Sequence, residues 1–229
     1  MEGSVSNHIN KLGYWSSIIF TFTGILYAVS MGVLLSKYTI PNYVNLEQYL
    51  LAVDKRFIDF YSFSQVFAFL SSLLFIVIVC TIHECVDHSS KIFSRVSICF
   101  GIGFMLLSCI NYFVQFSIVR LTISNGSTQN LENFIQFNPK SFMFAINMLG
   151  WSLFLGLSCL FLGIIFKGKG INLGIRVSMY STGMFCLIGF VGFVLDNKFF
   201  LFIFQIGMTI GLTTSAILLS IVFKKRLRE

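Results

Sequence analysis

The residues able to do chemistry fall into two groups. The first is the string His83-Glu84-Cys85-Val86-Asp87-His88. Zinc proteases carry two histidines four residues apart on a helix, so that both reach the metal. Here the spacing is five, which turns the second imidazole about 140° away on a helix of 3.6 residues per turn. A loop could still offer these groups to a metal, but no second cluster in the chain supplies further ligands. The expected state is a solvated turn, with no metal and no cofactor.

The second group lies inside or at the end of long apolar runs: Gln65, Asn111, Gln115, Arg120, Asn147 and Gln205, with Ser30 and Ser108 beside them. Residues three or four apart share a helix face, so Ser108, Asn111 and Gln115 point the same way. Counting along each run puts the amides of four runs, and Ser30 of a fifth, at a similar depth. Polar groups within a bilayer are costly unless paired, so these side chains are expected to converge. Two readings stay open. One is interhelical hydrogen bonding, worth about 0.6 kcal/mol per bond on average. The other is a ligand pocket walled by Tyr112 and Trp151, with Arg120 drawing an anionic head group or carboxylate.

Other familiar centres are missing. The third histidine, His8, lies in the N-terminal segment, so no pair of histidines sits at mid-run to hold a haem. No carboxylate lies deep in any run, and there is no glycine-rich phosphate loop or nucleophile elbow. An enzyme is the less favoured class.

The elements that must position the amides follow from composition. The chain has 229 residues, 56% hydrophobic and only 11% charged, with a mean hydropathy of +0.84. Soluble domains carry roughly 25% charged residues. Crossing a bilayer takes about 20 mostly apolar residues, and the runs 15–35, 60–82, 96–119, 142–166, 175–195 and 199–223 qualify. Backbone in lipid must satisfy its own hydrogen bonds, and these runs are too long for barrel strands. The fold class is therefore all-α: one transmembrane domain, 1–229, of six helices. The first run is too long for a signal-peptide core.

The net charge of +7 does not imply a nucleic-acid partner, because the charges flank the apolar runs. Lys11, Lys91, Arg95, Lys167, Lys169, Arg176 and the tail Lys224-Lys225-Arg226-Leu227-Arg228 fall on one side. Lys37, Lys55, Arg56, Arg120, Lys140 and Lys198 fall on the other. The excess puts both termini in the cytoplasm. Two longer connections, Ser36–Asp59 and Leu121–Ser141, then face outward, and Asp196-Asn197-Lys198 makes a tight hairpin of the last two helices. Asn45-Leu46-Glu47 echoes faintly as Asn130-Leu131-Glu132. Asn125-Gly126-Ser127 reads as a turn rather than a glycosylation site. The six cysteines lie in or beside the runs and read as small apolar residues, not a disulfide framework. Gly24, Ala28 and Gly32, and likewise Gly207, Gly211 and Ser215, have the spacing of interior helix seams; a partner helix of the same chain is favoured, and a second copy is the alternative.

With these residues in view, the chain resembles a widespread family of small six-helix prokaryotic integral membrane proteins. The likeness rests on Asn111-Tyr112-Phe113-Val114-Gln115, Val119-Arg120, Asn125-Gly126, Gln136-Phe137-Asn138-Pro139 and Leu149-Gly150-Trp151, with Lys91-Ile92-Phe93-Ser94 in the short cytoplasmic loop. It runs from about His83 to Arg176. The resemblance implies the six-helix fold and brings no mechanism. Members are expected to carry acids where this chain has Asn147 and Met148, so a proton-coupled role is not implied here.

The expectation is thus a multi-pass protein of a prokaryotic cell membrane, with the bilayer as its first partner and a lipid or small amphiphile bound in an outer-leaflet polar pocket. A small transporter or permease component is the alternative. Its usual mark, a helix broken at mid-depth, is not offered by Pro41 or Pro139, which both fall in connections. A membrane-embedded enzyme acting on lipids through His83, Glu84, Asp87 and His88 is the third reading.

Overall fold

A computed structural model describes residues 2–37, 45–53, 55–126 and 130–228, without the side chains of 2–5, 35, 52 and 55. Pro41, Ser127, the Lys55 side chain and the middle of the first long connection lie outside the described residues. Helix α1 (Glu2–Lys37) leads through a short α2 (Leu46–Ala52) to α3 (Lys55–Cys85). A 3₁₀ turn, His88–Ser90, opens α4 (Lys91–Val114), which passes through a π-turn at Gln115–Val119 into α5 (Arg120–Ser124). The next span is α6 (Phe142–Met148), a second π-turn at Leu149–Phe154, and α7 (Leu155–Ile165), followed by α8 (Ile171–Val194) and α9 (Lys198–Arg226). Six of these helical stretches are long and apolar enough to cross a membrane.

Each of the six apolar runs forms a helical stretch; five extend into a polar flank at one end or both, and the fourth, Phe142–Ile165, does not. Side-chain caps fix the starts. Asn45 Oδ1 accepts from the Gln48 amide at 2.9 Å and Ser141 Oγ from Phe144 at 3.0 Å. Asn197 Oδ1 takes the amides of both Phe199 and Phe200 at 3.1 Å, satisfying donors that a helix start leaves open. That cap, with Asp196 at φ 50°, makes the sharp α8–α9 reversal. In the second long connection Gly126 takes φ +70°, a left-handed turn that glycine adopts without strain.

Consecutive spans pack side by side, and α9 returns to α1, so the six form a closed ring. Both termini sit at one end, where Gly13 abuts the Phe223 ring. Polarity is inverted relative to a soluble protein. Trp15, Phe22, Ile102, Phe113, Met184 and Ile210 are exposed, whereas Ser17, Ser72, Ser97, Asn111 and Thr182 are fully buried. Serines join the spans: Thr23 to Ser71 at 2.8 Å, Ser215 to Ser178 at 2.7 Å, and Ser97 to Ser158 by reciprocal bonds of 2.9 Å.

The two glycine seams part company. On α9, Gly207 lies against the Phe185 ring and Gly211 against Thr182 and the Ser178 carbonyl, so this seam is interior. On α1 it is not: Cβ atoms at Gly24 and Gly32 would meet nothing, and Ala28 is exposed. The spacing marks a smooth face but does not say which way the helix is turned. The buried stripe of α1 runs instead through Ser16, Phe20, Thr23, Ser30 and Leu34.

Two apolar clusters divide the interior. The larger, near the termini, includes Phe20, Phe75, Phe104, Leu155 and Phe204. The smaller, at the opposite end, joins Leu34, Tyr61 and Val114 to Tyr49 of α2 and to Leu131 and Ile135 of the second long connection. That connection is thus part of the core rather than a simple outward loop. It is tied by Asn138, whose Nδ2 donates to the Glu132 carbonyl and whose Oδ1 accepts from the Lys140 amide, both at 3.0 Å. The echo between Asn45 and Asn130 does not extend to the backbone, extended at the first and left-handed at the second.

Candidate functional site

Between the two apolar clusters lies a polar layer. On each of the first four spans it falls between residues of the one cluster and residues of the other: Tyr27 and Ser30 on α1, Gln65 on α3, Ser108 and Asn111 on α4, and Asn147 on α6. Asn111 is at its centre, fully buried, and its Nδ2 donates to Asn147 Oδ1 and to Gln136 Oε1, each at 3.2 Å. The Tyr61 hydroxyl donates to the same Gln136 oxygen at 2.8 Å. Gln115 grips the connection above: its Nε2 donates to the Phe134 carbonyl at 2.6 Å, and its Oε1 accepts from the Gln136 amide at 3.2 Å. Phe137, the next residue, seats against Tyr61 at a centroid distance of 4.8 Å and against Phe57 at 5.9 Å.

Several buried polar atoms in this layer have no hydrogen-bond partner: both carboxamide atoms of Gln65, Asn111 Oδ1, Ser62 Oγ, Ser108 Oγ and Trp151 Nε1. Ser62 and Gln65 share a face of α3, one turn apart. The Tyr27 hydroxyl interacts with Gln65 and the Tyr112 hydroxyl with Trp151, each outside ordinary hydrogen-bond geometry. Ser108 is set by the close approach of α4 to the second π-turn, where a Cβ at Gly150 would stand 3.3 Å from Ser108 Oγ. Trp151 rests edge-on to Phe104 at 4.8 Å and to Tyr112 at 6.5 Å. An unsatisfied buried polar group costs about 1–3 kcal/mol, so a concentration of them calls for a physical reason.

Both π-turns border this layer. Gln115 opens the first, and Gly150, Trp151 and Ser152 belong to the second. A π-turn is an interruption of α-helical bonding that often accompanies functional sites. Each is matched here by a serine bonding back four residues: Ser117 Oγ to the Phe113 carbonyl, and Ser152 Oγ to that of Met148. The hydroxyls cover carbonyls at the disrupted turns.

Of the six residues singled out in the sequence, four meet here: Gln65, Asn111, Gln115 and Asn147. Gln205 does not. It is exposed on the outer face of α9, whose buried side runs through Phe204, Gly211, Ser215 and Leu219. Depth along a helix carries no azimuth, and one residue of rotation puts Gln205 outside. Arg120 is also outside the layer, paired with Asp59 at 3.0 Å while both side chains stay nearly half exposed. Its charge is already met, so it is not a free anchor for an anion. Ser30 turns its hydroxyl back to the Tyr27 carbonyl at 2.9 Å.

The place expected for Gln205 is in effect taken by Gln136, which comes from a connection. Its signal was the apolar company it keeps, Leu131, Phe134, Ile135 and Phe137, too greasy for a solvated loop. Tyr27 and Tyr61 were also missed, since tyrosine in an apolar run looks like ordinary core.

The histidine string is divided by the end of α3. His83 is on its last turn, bonded through Nδ1 to Ser94 Oγ at 2.6 Å, while Glu84, Asp87 and His88 are exposed. Among the described residues no three His, Cys, Asp or Glu side chains converge. Comparison with family models, with curated proteins and with solved structures finds no match.

Proposed function

We propose that the chain is a multi-pass protein of a prokaryotic cell membrane, related to the small six-helix family it resembles, and that its polar layer binds a lipid or small amphiphile without catalysing a reaction. On this reading the termini are cytoplasmic, as the Lys and Arg excess at that end favours, and the layer lies in the outer leaflet. The observation that carries the proposal is the Gln65 carboxamide: fully buried beside the Tyr27 hydroxyl, with neither atom in an ordinary hydrogen bond. Hydrogen-bond glue would end in partners, as Asn111 Nδ2 and Asn147 Oδ1 do. Further support comes from the stretches that carry the family likeness, since Asn111, Gln115, Gln136 and Trp151 all meet at this one place. The 130–138 segment is held against the layer by the two bonds of Gln115.

Transport is the second reading, and one observation favours it. The two π-turns interrupt the third and fourth spans at the depth of the layer, the irregularity that proline would otherwise supply.

Native mass spectrometry of the purified protein tests binding. The wild type and Gln205→Leu are expected to carry the same co-purifying small molecule, and an Asn111→Leu, Gln115→Leu double variant to lose it. No bound molecule in any of them, with the double variant merely less stable, would leave the amides as glue and overturn the proposal.

A further inference from the structure

We infer that the layer selects an uncharged, hydroxyl-bearing head group, a neutral lipid alcohol in place of a phospholipid, fatty acid or amine. This rests on the reading of the layer as a binding site and adds the class of ligand.

The inventory of open groups decides the class. Gln65 Nε2 and Trp151 Nε1 can only donate, Gln65 Oε1 and Asn111 Oδ1 can only accept, and the hydroxyls of Ser62 and Ser108 can do either. A group that only accepts, such as an ester, ether or phosphate oxygen, would leave the two carbonyl oxygens unmet. An ammonium, which only donates, would leave the indole and the amide N–H unmet. A hydroxyl donates and accepts from one atom, so vicinal hydroxyls satisfy both kinds at once.

Charge points the same way. The layer is built from amides, hydroxyls and indole, and it sits between two apolar clusters. Of the charged side chains nearest to it in sequence, Asp59 and Arg120 pair with each other, and Glu132 and Lys140 are exposed at the surface. An ionised head group drawn into this layer would lose its hydration and find no counter-charge, which is the most costly way to bury an ion.

Trp151 serves as the reporter. The chain has two tryptophans, and Trp15→Phe leaves only the one with its indole N–H in the layer. In detergent micelles this variant is titrated with a monoalkylglycerol, with its dimethyl ether, and with the alkanoate and alkylammonium of equal chain length. The expected result is a saturable red shift of emission with the alkylglycerol, at an apparent affinity at least tenfold tighter than for the other three. Adding Gln65→Met should weaken it tenfold or more, with a cooperative thermal transition retained, while Gln205→Leu leaves it unchanged. If the alkanoate, the alkylammonium or the dimethyl ether binds as tightly and Gln65→Met abolishes that binding, the layer is a site but not one for alcohols, and this inference alone falls. If no probe shifts the emission, the binding proposal falls with it.

Discussion

Exchanging Gln65 for methionine should make the ligand-free protein more stable, while Gln115→Leu, on the next span, should make it less so. The first sign follows from an unpaired carboxamide at zero exposure. Leaving a buried polar group unsatisfied costs about 1–3 kcal/mol, and removing it recovers that cost. Methionine has nearly the length and flexibility of glutamine, so little cavity or strain is introduced. The second sign follows from the two bonds of the Gln115 carboxamide, whose Nε2 donates to the Phe134 carbonyl at 2.6 Å and whose Oε1 accepts from the Gln136 amide at 3.2 Å. Each such bond is worth about 0.6 kcal/mol in a membrane protein, and orphaning the Gln136 amide adds roughly another 1 kcal/mol. At about 2–4 °C per kcal/mol for a chain of this size, the two melting points should lie roughly 10 °C apart, on either side of the parent. A thiol-reactive dye can follow unfolding of delipidated protein, because Cys159 and Cys186 have no exposure in the fold. Cys80, Cys85, Cys99 and Cys109 are replaced by alanine in every sample. Should Gln65→Met melt below the parent alongside Gln115→Leu, the Gln65 carboxamide is paired in the native protein and the argument for a site collapses.

The same substitution should have opposite effects in the two glycine seams. Gly211→Ala meets Thr182 Oγ1 and the Ser178 carbonyl and should cost about 1–3 kcal/mol, whereas Gly24→Ala enters open space and should gain up to about 1 kcal/mol in helix propensity; both are read by thermal unfolding. Arg120→Gln removes a half-exposed ion pair and should shift stability by less than about 1 kcal/mol without displacing a bound amphiphile, as native mass spectrometry would record. Finally, a cysteine at exposed Glu132 should react with a membrane-impermeant maleimide on intact cells, and one at exposed Asp87 only after lysis; the reverse would invert the assigned orientation.

How much of this was legible in the sequence depends on what kind of coordinate is asked for. Position along a span was legible, since six apolar runs became six helices and Gln65, Asn111 and Asn147 do share a level. Rotation about a span was not. Gly24 and Gly32 face outward and Gln205 faces outward, although their spacing and depth are those of interior residues, because the direction of a face depends on which neighbours the ring places beside it. The π-turns were invisible for a related reason: Gln115–Val119 and Leu149–Phe154 have no proline, and their serines at 117 and 152 look like any others in a serine-rich chain. Gln136 could have been suspected from its apolar flanks, but only packing shows that Asn111 and Tyr61 both reach its oxygen.

That Gln136 arrives from a connection has a consequence for how the protein is made. Chains emerge N-terminal end first, and their early portions begin to fold before the rest exists. The first three spans deliver Gln65, Asn111 and Gln115, but Gln115 has nothing to hold until Phe134 and Gln136 are synthesised. Asn147 and Trp151 come a few turns later, and α8 and α9 add no side chain to the layer's hydrogen bonds. On the proposed reading, the part that would hold a ligand is therefore complete in outline while the last hairpin is still being translated. A nascent chain stalled after α7 would already contain every residue needed to recruit its occupant, making the ligand a candidate assembly factor for the ring that α9 afterwards closes.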